Sequence, residues 1–200
     1  MTGLRQQKKA QSREAIALAA NQLFAEHGYQ SVRMTQVAAL AGVSDQTLYN
    51  YFPTKESLVF DKSEHVEQAL LASAADRPPG VDLVDAFSQW LQTFVLGDAG
   101  RRALQNPGGM PRLVNGNDAL RRMLLDIFHA SATRLAVHLH EVEALPEPLA
   151  LVVADALLGV TVRAIEQVGA AVDEPELALI TTRATASLDV LRPLLLAARG

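Results

Sequence analysis

Apolar residues recur at three- and four-residue spacing along almost the whole chain, and no stretch alternates apolar with polar as a half-buried strand does. Ile16, Ala19, Ala20, Leu23 and Phe24 stripe a first helix, which His27-Gly28 ends with a glycine in a C-cap position. Two short helices are predicted from about Thr35 and about Asp45. A longer one runs from about Lys55 towards Ala75, where Arg77-Pro78-Pro79-Gly80 stops it. Val84, Phe87, Leu91, Phe94 and Val95 share one face of a helix starting near Asp82. The segment NPGGMPRLVNG, Asn106 to Gly116, reads as a loop by its Gly, Pro and Asn content. Leu120, Leu124, Ile127, Phe128, Leu135 and Leu139 stripe a long helix, and helices over about 147–169 and 175–198 close the chain. The predicted fold class is all-α.

The two closing helices differ from the others. Leu149, Val152, Val153, Ala156, Leu157, Leu158, Val160, Val162 and Ile165 occupy more than one face of the first. A helix apolar on several sides has to be covered on several sides. In the second, Leu177, Ile180, Ala184, Leu188 and Leu191 form a seam flanked by small residues. A chain of this size can hide both helices in its own core. The reading adopted is that the surplus face meets a second copy of the chain.

Composition narrows the classes. An apolar fraction of 49% suits a chain that buries a core. There is no cysteine, which excludes disulfides and thiolate metal sites and fits a reducing, cytoplasmic setting. The basic, polar start MTGLRQQKKAQSREA does not read as a secretory signal. No uncharged apolar run reaches the roughly 18 residues of a membrane span, and Leu149–Val168 is interrupted by Asp155, Arg163 and Glu166. Residues 1–60 hold six Lys/Arg against four Asp/Glu, or +2, while the rest hold twelve against eighteen, or −6. A basic end on an acidic body suits a polyanion partner for that end. The excess is small and decides nothing alone.

The stretch VAALAGVSDQTLYNYFPTKESL, from Val37, carries the local chemistry. Gly42 sits where a chain leaving a helix needs the left-handed conformation. Ser44 is a good N-cap for the next helix, and Val43 with Leu48 has the spacing of a hydrophobic staple. Val37, Ala38, Ala41, Val43, Leu48 and Phe52 form one buried set. The outcome is a helix-turn-helix over about 35–54. With Leu48 and Phe52 inward, Gln46, Thr47 and Asn50 point out. Gln and Asn each match an adenine edge, a Thr methyl can meet a thymine methyl, and Tyr hydroxyls suit phosphate oxygens.

Thr35 to Leu58, read as T-Q-V-A-x-x-A-G-V-S-x-x-T-L-Y-x-Y-F-x-x-K-E-x-L, resembles the TetR family of bacterial transcriptional regulators, and the likeness extends back through Ala20, Leu23, Phe24, Gly28 and Tyr29. It covers roughly residues 10–60. The resemblance implies a three-helix DNA-binding unit over residues 1–60 and a helical ligand-binding and dimerisation body over 61–200. It implies repression relieved by a small molecule, while the surplus apolar face places the homodimer contact at about 147–169 and 175–198, and two heads on its two-fold axis require an inverted-repeat operator. Partners would be double-stranded operator DNA, a second copy and an unidentified effector, with no membrane, no cofactor and no metal.

DNA contacts are expected from Thr35, Ser44, Asp45, Gln46, Thr47, Tyr49, Asn50, Tyr51 and Lys55. Tyr49 and Lys55 hold the family's phosphate-contact positions. Thr35 presents its hydroxyl or N–H to a phosphate, caps its helix, or does both. Asp45 either accepts from a cytosine amino group or eases the positive end of the helix dipole. Arg33 either touches the DNA backbone or is an ordinary surface arginine. Arg5, Lys8, Lys9 and Arg13 make an arm near DNA or keep the N-terminus soluble. In the body, Phe87, Trp90, Phe94, Met123, Phe128 and Arg163 are the ligand-binding candidates, with Met110 and His129 beside them. Trp90 leads because it is large and off the main stripe, although aromatics at helical spacing are usually core. Arg163 meets an anionic ligand or pairs with Asp155 or Glu166. No catalytic residues are assigned. His138 and His140 point to different helix faces, and no nucleophile motif or phosphate loop accompanies the His–acid pairs.

Overall fold

The structure is a computed structural model that describes residues 2–197, with side chains from residue 7. Its helices are α1 (Thr2–His27), α2 (Met34–Leu40), α3 (Asp45–Tyr51), α4 (Lys55–Val59), α5 (Ser63–Ala75), α6 (Leu83–Leu91), α7 (Asp98–Gln105), α8 (Met110–Asn115), α9 (Asp118–Glu141), α10 (Glu147–Ala170), α11 (Glu174–Asp189) and α12 (Arg192–Ala197). The fold is all-α, and no strand occurs among the described residues.

The N-terminal helices close on one another because each contributes a stripe to a common core. Ile16, Ala20 and Phe24 of α1, Val37 and Ala38 of α2, Leu48 of α3, Phe52 and Leu58 are all nearly or fully buried. Gly28 and Gly42 carry the left-handed turns, at φ 76° and 68°. Gly28 N–H bonds Phe24 C=O at 3.0 Å, and Val43 N–H reaches back to Ala38 C=O at 3.0 Å, so both helix ends are satisfied.

Four expectations about the elements need correction. The helix expected over Lys55–Ala75 breaks at Phe60–Lys62. Within the break, Arg13 donates from Nε to Asp61 Oδ1 at 2.7 Å and from its other arm to the Asp61 carbonyl at 3.3 Å, and Phe60 is buried. The helix begun near Asp82 ends in a π-helical turn, Gln92–Leu96, closed by Gly97 N–H on Gln92 C=O at 2.7 Å; a further helix, α7, follows it unforeseen. The expected loop Asn106–Gly116 contains α8. Pro111 at its first turn and the burial of Leu113 and Val114 favour a helix where the Gly and Pro content suggested none. The last helix breaks at Val190–Leu191 before Pro193, and residue 198 lies outside the described residues.

α10 is the axis of the body. It packs against α8, α9 and α11, with Val153, Leu157, Thr161 and Val168 fully buried. By length and composition alone it could cross a membrane, but these contacts account for its apolar character as a core helix. Close backbone approaches tie the parts together. A Cβ on Gly108 would overlap the Asn21 carbonyl and Ala25 amide of α1, and one on Gly169 would overlap the Pro111 carbonyl of α8. Arg112 of α8 donates to the carbonyls of Gly169 at 3.3 Å and Ala171 at 2.6 Å, capping the C-terminal end of α10.

Candidate nucleic-acid interface

Helix α3 is short, and its start is fixed by side chains. Ser44, in extended backbone, accepts from Thr47 N–H at 3.1 Å, and the Ser44 and Thr47 hydroxyls bond each other at 2.8 Å. Thr47 stands at the capping-box position, but its hydroxyl meets the Ser44 hydroxyl and not the Ser44 N–H. Leu48 and Phe52 are fully buried, so the opposite face is set outward. Gln46, Tyr49 and Asn50 are exposed on it, Thr47 and Tyr51 are half-buried, and Asp45 stands exposed in the first turn. Gln46 Nε2 donates to Asn50 Oδ1 at 3.1 Å. That bond couples the two amides and leaves the Gln46 carbonyl oxygen as an acceptor and the Asn50 NH2 group as a donor, neither with a partner among the described residues. An adenine edge in the major groove offers the complementary donor and acceptor.

Below α3 a compact cluster joins three elements. Lys55 Nζ lies 4.3 Å from the Tyr29 ring centroid and donates to the Gln30 carbonyl at 3.3 Å. The Tyr29 hydroxyl donates to Glu56 Oε1 at 3.0 Å, and the Tyr29 ring packs on Phe24 at 5.2 Å between centroids. Burial, then the Glu56 carboxylate, push the Tyr29 phenol above its ordinary value. Hydrogen bonding to backbone N–H holds Glu56 below the usual carboxylate range, helped by Tyr29 and Thr54 against the opposing effect of burial. Burial lowers the Lys55 ammonium, and neighbouring Glu56 opposes that shift. Glu56, Gln30 and the role of Tyr29 were not singled out from sequence. The signal available was Glu56 standing directly after Lys55.

Other expected contacts fall into place less directly. Thr35 does not cap α2, since Arg33 holds the cap position and its N–H donates to Gln36 Oε1 at 2.8 Å; Thr35 is exposed in the first turn. Arg13 is folded across the Phe52 ring, 4.7 Å from its centroid, onto Asp61, so it is no part of a free arm. Lys8 and Lys9 ride on α1, and Arg5 lies outside the described side chains.

The body candidates do not form one cavity. Phe87, Trp90 and Phe94 stack at 5.1 and 6.0 Å between centroids, and Phe87 and Trp90 are buried core. The Trp90 indole N–H is buried with no hydrogen-bond partner among the described residues. Met123 alone of the candidates lines an open groove of about 430 Å³ between α5 and α9, together with Ser63, Glu64, Glu67, Asp126, Ile127, Ala130 and Arg134. Phe128 is half-buried on α9. Arg163 is exposed on α10, and the expected pairing with Glu166 is not made, because Arg121 Nε holds Glu166 at 2.7 Å.

Residues 16–61 match the sequence profile of the bacterial regulatory proteins of the tetR family. The HTH-type transcriptional regulator TcmR of Streptomyces glaucescens is 30% identical over 86 residues, 43% of this chain and 38% of that protein. The HTH-type transcriptional repressor NicS of Pseudomonas putida is 32% identical over 84 residues, 42% of this chain and 39% of that protein. The match thus spans about two fifths of the length of these relatives. Among solved structures, the TetR family repressor AlkX of Dietzia sp. superposes with a TM-score of 0.59 at 20% identity, covering 92% of this chain and 97% of that one, a likeness of fold.

Proposed function

The chain belongs, through its N-terminal unit, to the TetR family of bacterial regulatory proteins, and from that premise we propose that it is a cytoplasmic DNA-binding transcriptional regulator. The finer reading is a homodimeric repressor. Residues 1–60 read an inverted-repeat operator, and residues 61–200 bind a small molecule whose binding releases the DNA.

The observation that carries this is the outward amide pair Gln46–Asn50 on the N-terminal half of α3. Base-edge readout places such groups in the major groove. Beside the pair, Thr35, Tyr49, Tyr51 and Lys55 serve phosphate contact, Thr47 offers its methyl to a thymine, Ser44 caps α3, and Asp45 accepts from a cytosine amino group or eases the helix dipole. The effector site is supported by the buried, unpartnered Trp90 indole N–H, a donor that an acceptor on a ligand would satisfy. A ligand acts on DNA binding only by favouring one arrangement of the two reading units over the other.

A gel-shift titration on the DNA upstream of the protein's own coding sequence tests the reading. A discrete complex that survives a hundredfold excess of random duplex supports it, and indifference between the two DNAs refutes it. Trp90 is the chain's one tryptophan. Compounds that dissolve the complex should also shift its fluorescence.

A further inference from the structure

The outward face of α10 carries a charge pattern that is complementary to itself. At 3.6 residues per turn, Val152, Asp155, Gly159, Arg163 and Ala170 fall on one narrow stripe, and all five are exposed. Only 44% of the most apolar window of α10 is buried within one chain. Asp155 and Arg163 have no partner among the described residues. Eight residues apart, they lie about 12 Å from each other along the helix and cannot pair internally. Glu166, which could reach Arg163, is held by Arg121.

Gly159 lies midway between the two charges, four residues from each. A Cβ there would meet nothing within 4 Å in one chain. An exposed mid-helix glycine weakens a helix and serves it only where another backbone comes close. Asp155, Gly159 and Arg163 also form one i±4 ridge, the ridge that interdigitates in the commonest helix crossing.

We propose that α10 crosses the α10 of a second copy at Gly159, on the two-fold axis, with Asp155 of each chain paired to Arg163 of the other. An isologous contact is reciprocal, so residues equidistant from the axis on antiparallel helices face each other. Charges of opposite sign, each four residues from the axis, therefore form two cross-subunit ion pairs. Arg163 is the one base on α10, so Asp155 meets a base of the second α10 only when the crossing is centred on Gly159. The pairs set the register, and the exposed apolar residues Leu151, Val152 and Leu179 supply burial around them. The inference rests on the homodimeric reading above and adds its axis and its partners.

The test uses the full chain, with folding checked by circular dichroism and self-association followed by sedimentation over a dilution series. Asp155→Arg and Arg163→Asp should each raise the dimer dissociation constant at least about tenfold, because each sets like charges against each other twice. Mixed one to one, the two variants should recover a dimer about as tight as the wild type, since each then meets opposite charge. An independent check exploits the absence of cysteine from the chain. Gly159→Cys should cross-link readily under mild oxidation, and Gln68→Cys on α5 should not. A wild-type dimer unaffected by either charge reversal, a mixture that fails to recover, or equal cross-linking at the two sites overturns the register while the homodimer stands. A wild type that is monomeric at micromolar concentration refutes the homodimer itself, and the register with it.

Discussion

Lys55, proposed above as a phosphate contact, rests its ammonium on the Tyr29 ring and the Gln30 carbonyl. The cluster keeps a long side chain at one place beside α3, so little freedom is lost when a phosphate arrives. Lys55→Ala should weaken binding to operator and random DNA alike. Two cations are lost per dimer, so the slope of log affinity against log salt should fall by roughly 1.8, at about 0.9 per phosphate contact. Salt titrations of both duplexes measure this. Glu56 makes the same cluster acid-sensitive. Its carboxyl is held below the ordinary 4.5, so its stabilising contribution is complete above that value and is lost as pH falls through the lower folded-state value. Tyr29→Phe removes one donor to Glu56. Melting temperatures between about pH 6 and 3 should therefore fall less steeply for Tyr29→Phe than for the wild type. From sequence, the outward direction of Gln46 and Asn50 was legible, because Leu48 and Phe52 fix the helix face. The Gln46–Asn50 bond and the seat of Lys55 were not. The first depends on rotamers, and the second on a contact 25 residues away.

At the scale of elements, what was read correctly is local and what was missed is not. Gly28, Gly42 and Ser44 announce their turns and cap within four residues. The break between α4 and α5 is where Arg13, 48 residues away, holds Asp61. α8 exists because its apolar pair is buried and its Arg112 caps α10, 57 to 59 residues on, so a Gly- and Pro-rich string concealed it. Arg112→Ala should destabilise the fold by about 1.5–3 kcal/mol, the range for hydrogen bonds to a charged group. Gly108→Ala, which forces a methyl against the backbone of α1, should cost roughly 1–3 kcal/mol. Urea unfolding with unchanged slope distinguishes these losses from a change in the unfolded state. Both residues belong to the strip of chain that lies between α1 and the end of α10.

Over the whole molecule, the all-α architecture was legible in the unbroken helical periodicity, and the helix-turn-helix in one dense motif. Where a proposed effector would sit was not, because aromatic residues at helical spacing pack a core and line a pocket with the same pattern. Phe87, Trp90 and Phe94 form a stack, while Met123 faces a groove elsewhere. A dimer built on α10 and α11 would bury on the order of 2,000 Å², and two α3 helices related by its axis require half-sites near one DNA turn, or a multiple of it, apart.

The central claim is that α3 reads bases through Gln46, and fluorescence anisotropy titrations of wild type and Gln46→Ala on operator and random duplexes address it directly. The account predicts a loss of about 1–3 kcal/mol on the operator with random DNA nearly unaffected. Equal weakening on both duplexes would contradict it and reduce Gln46 to a backbone contact.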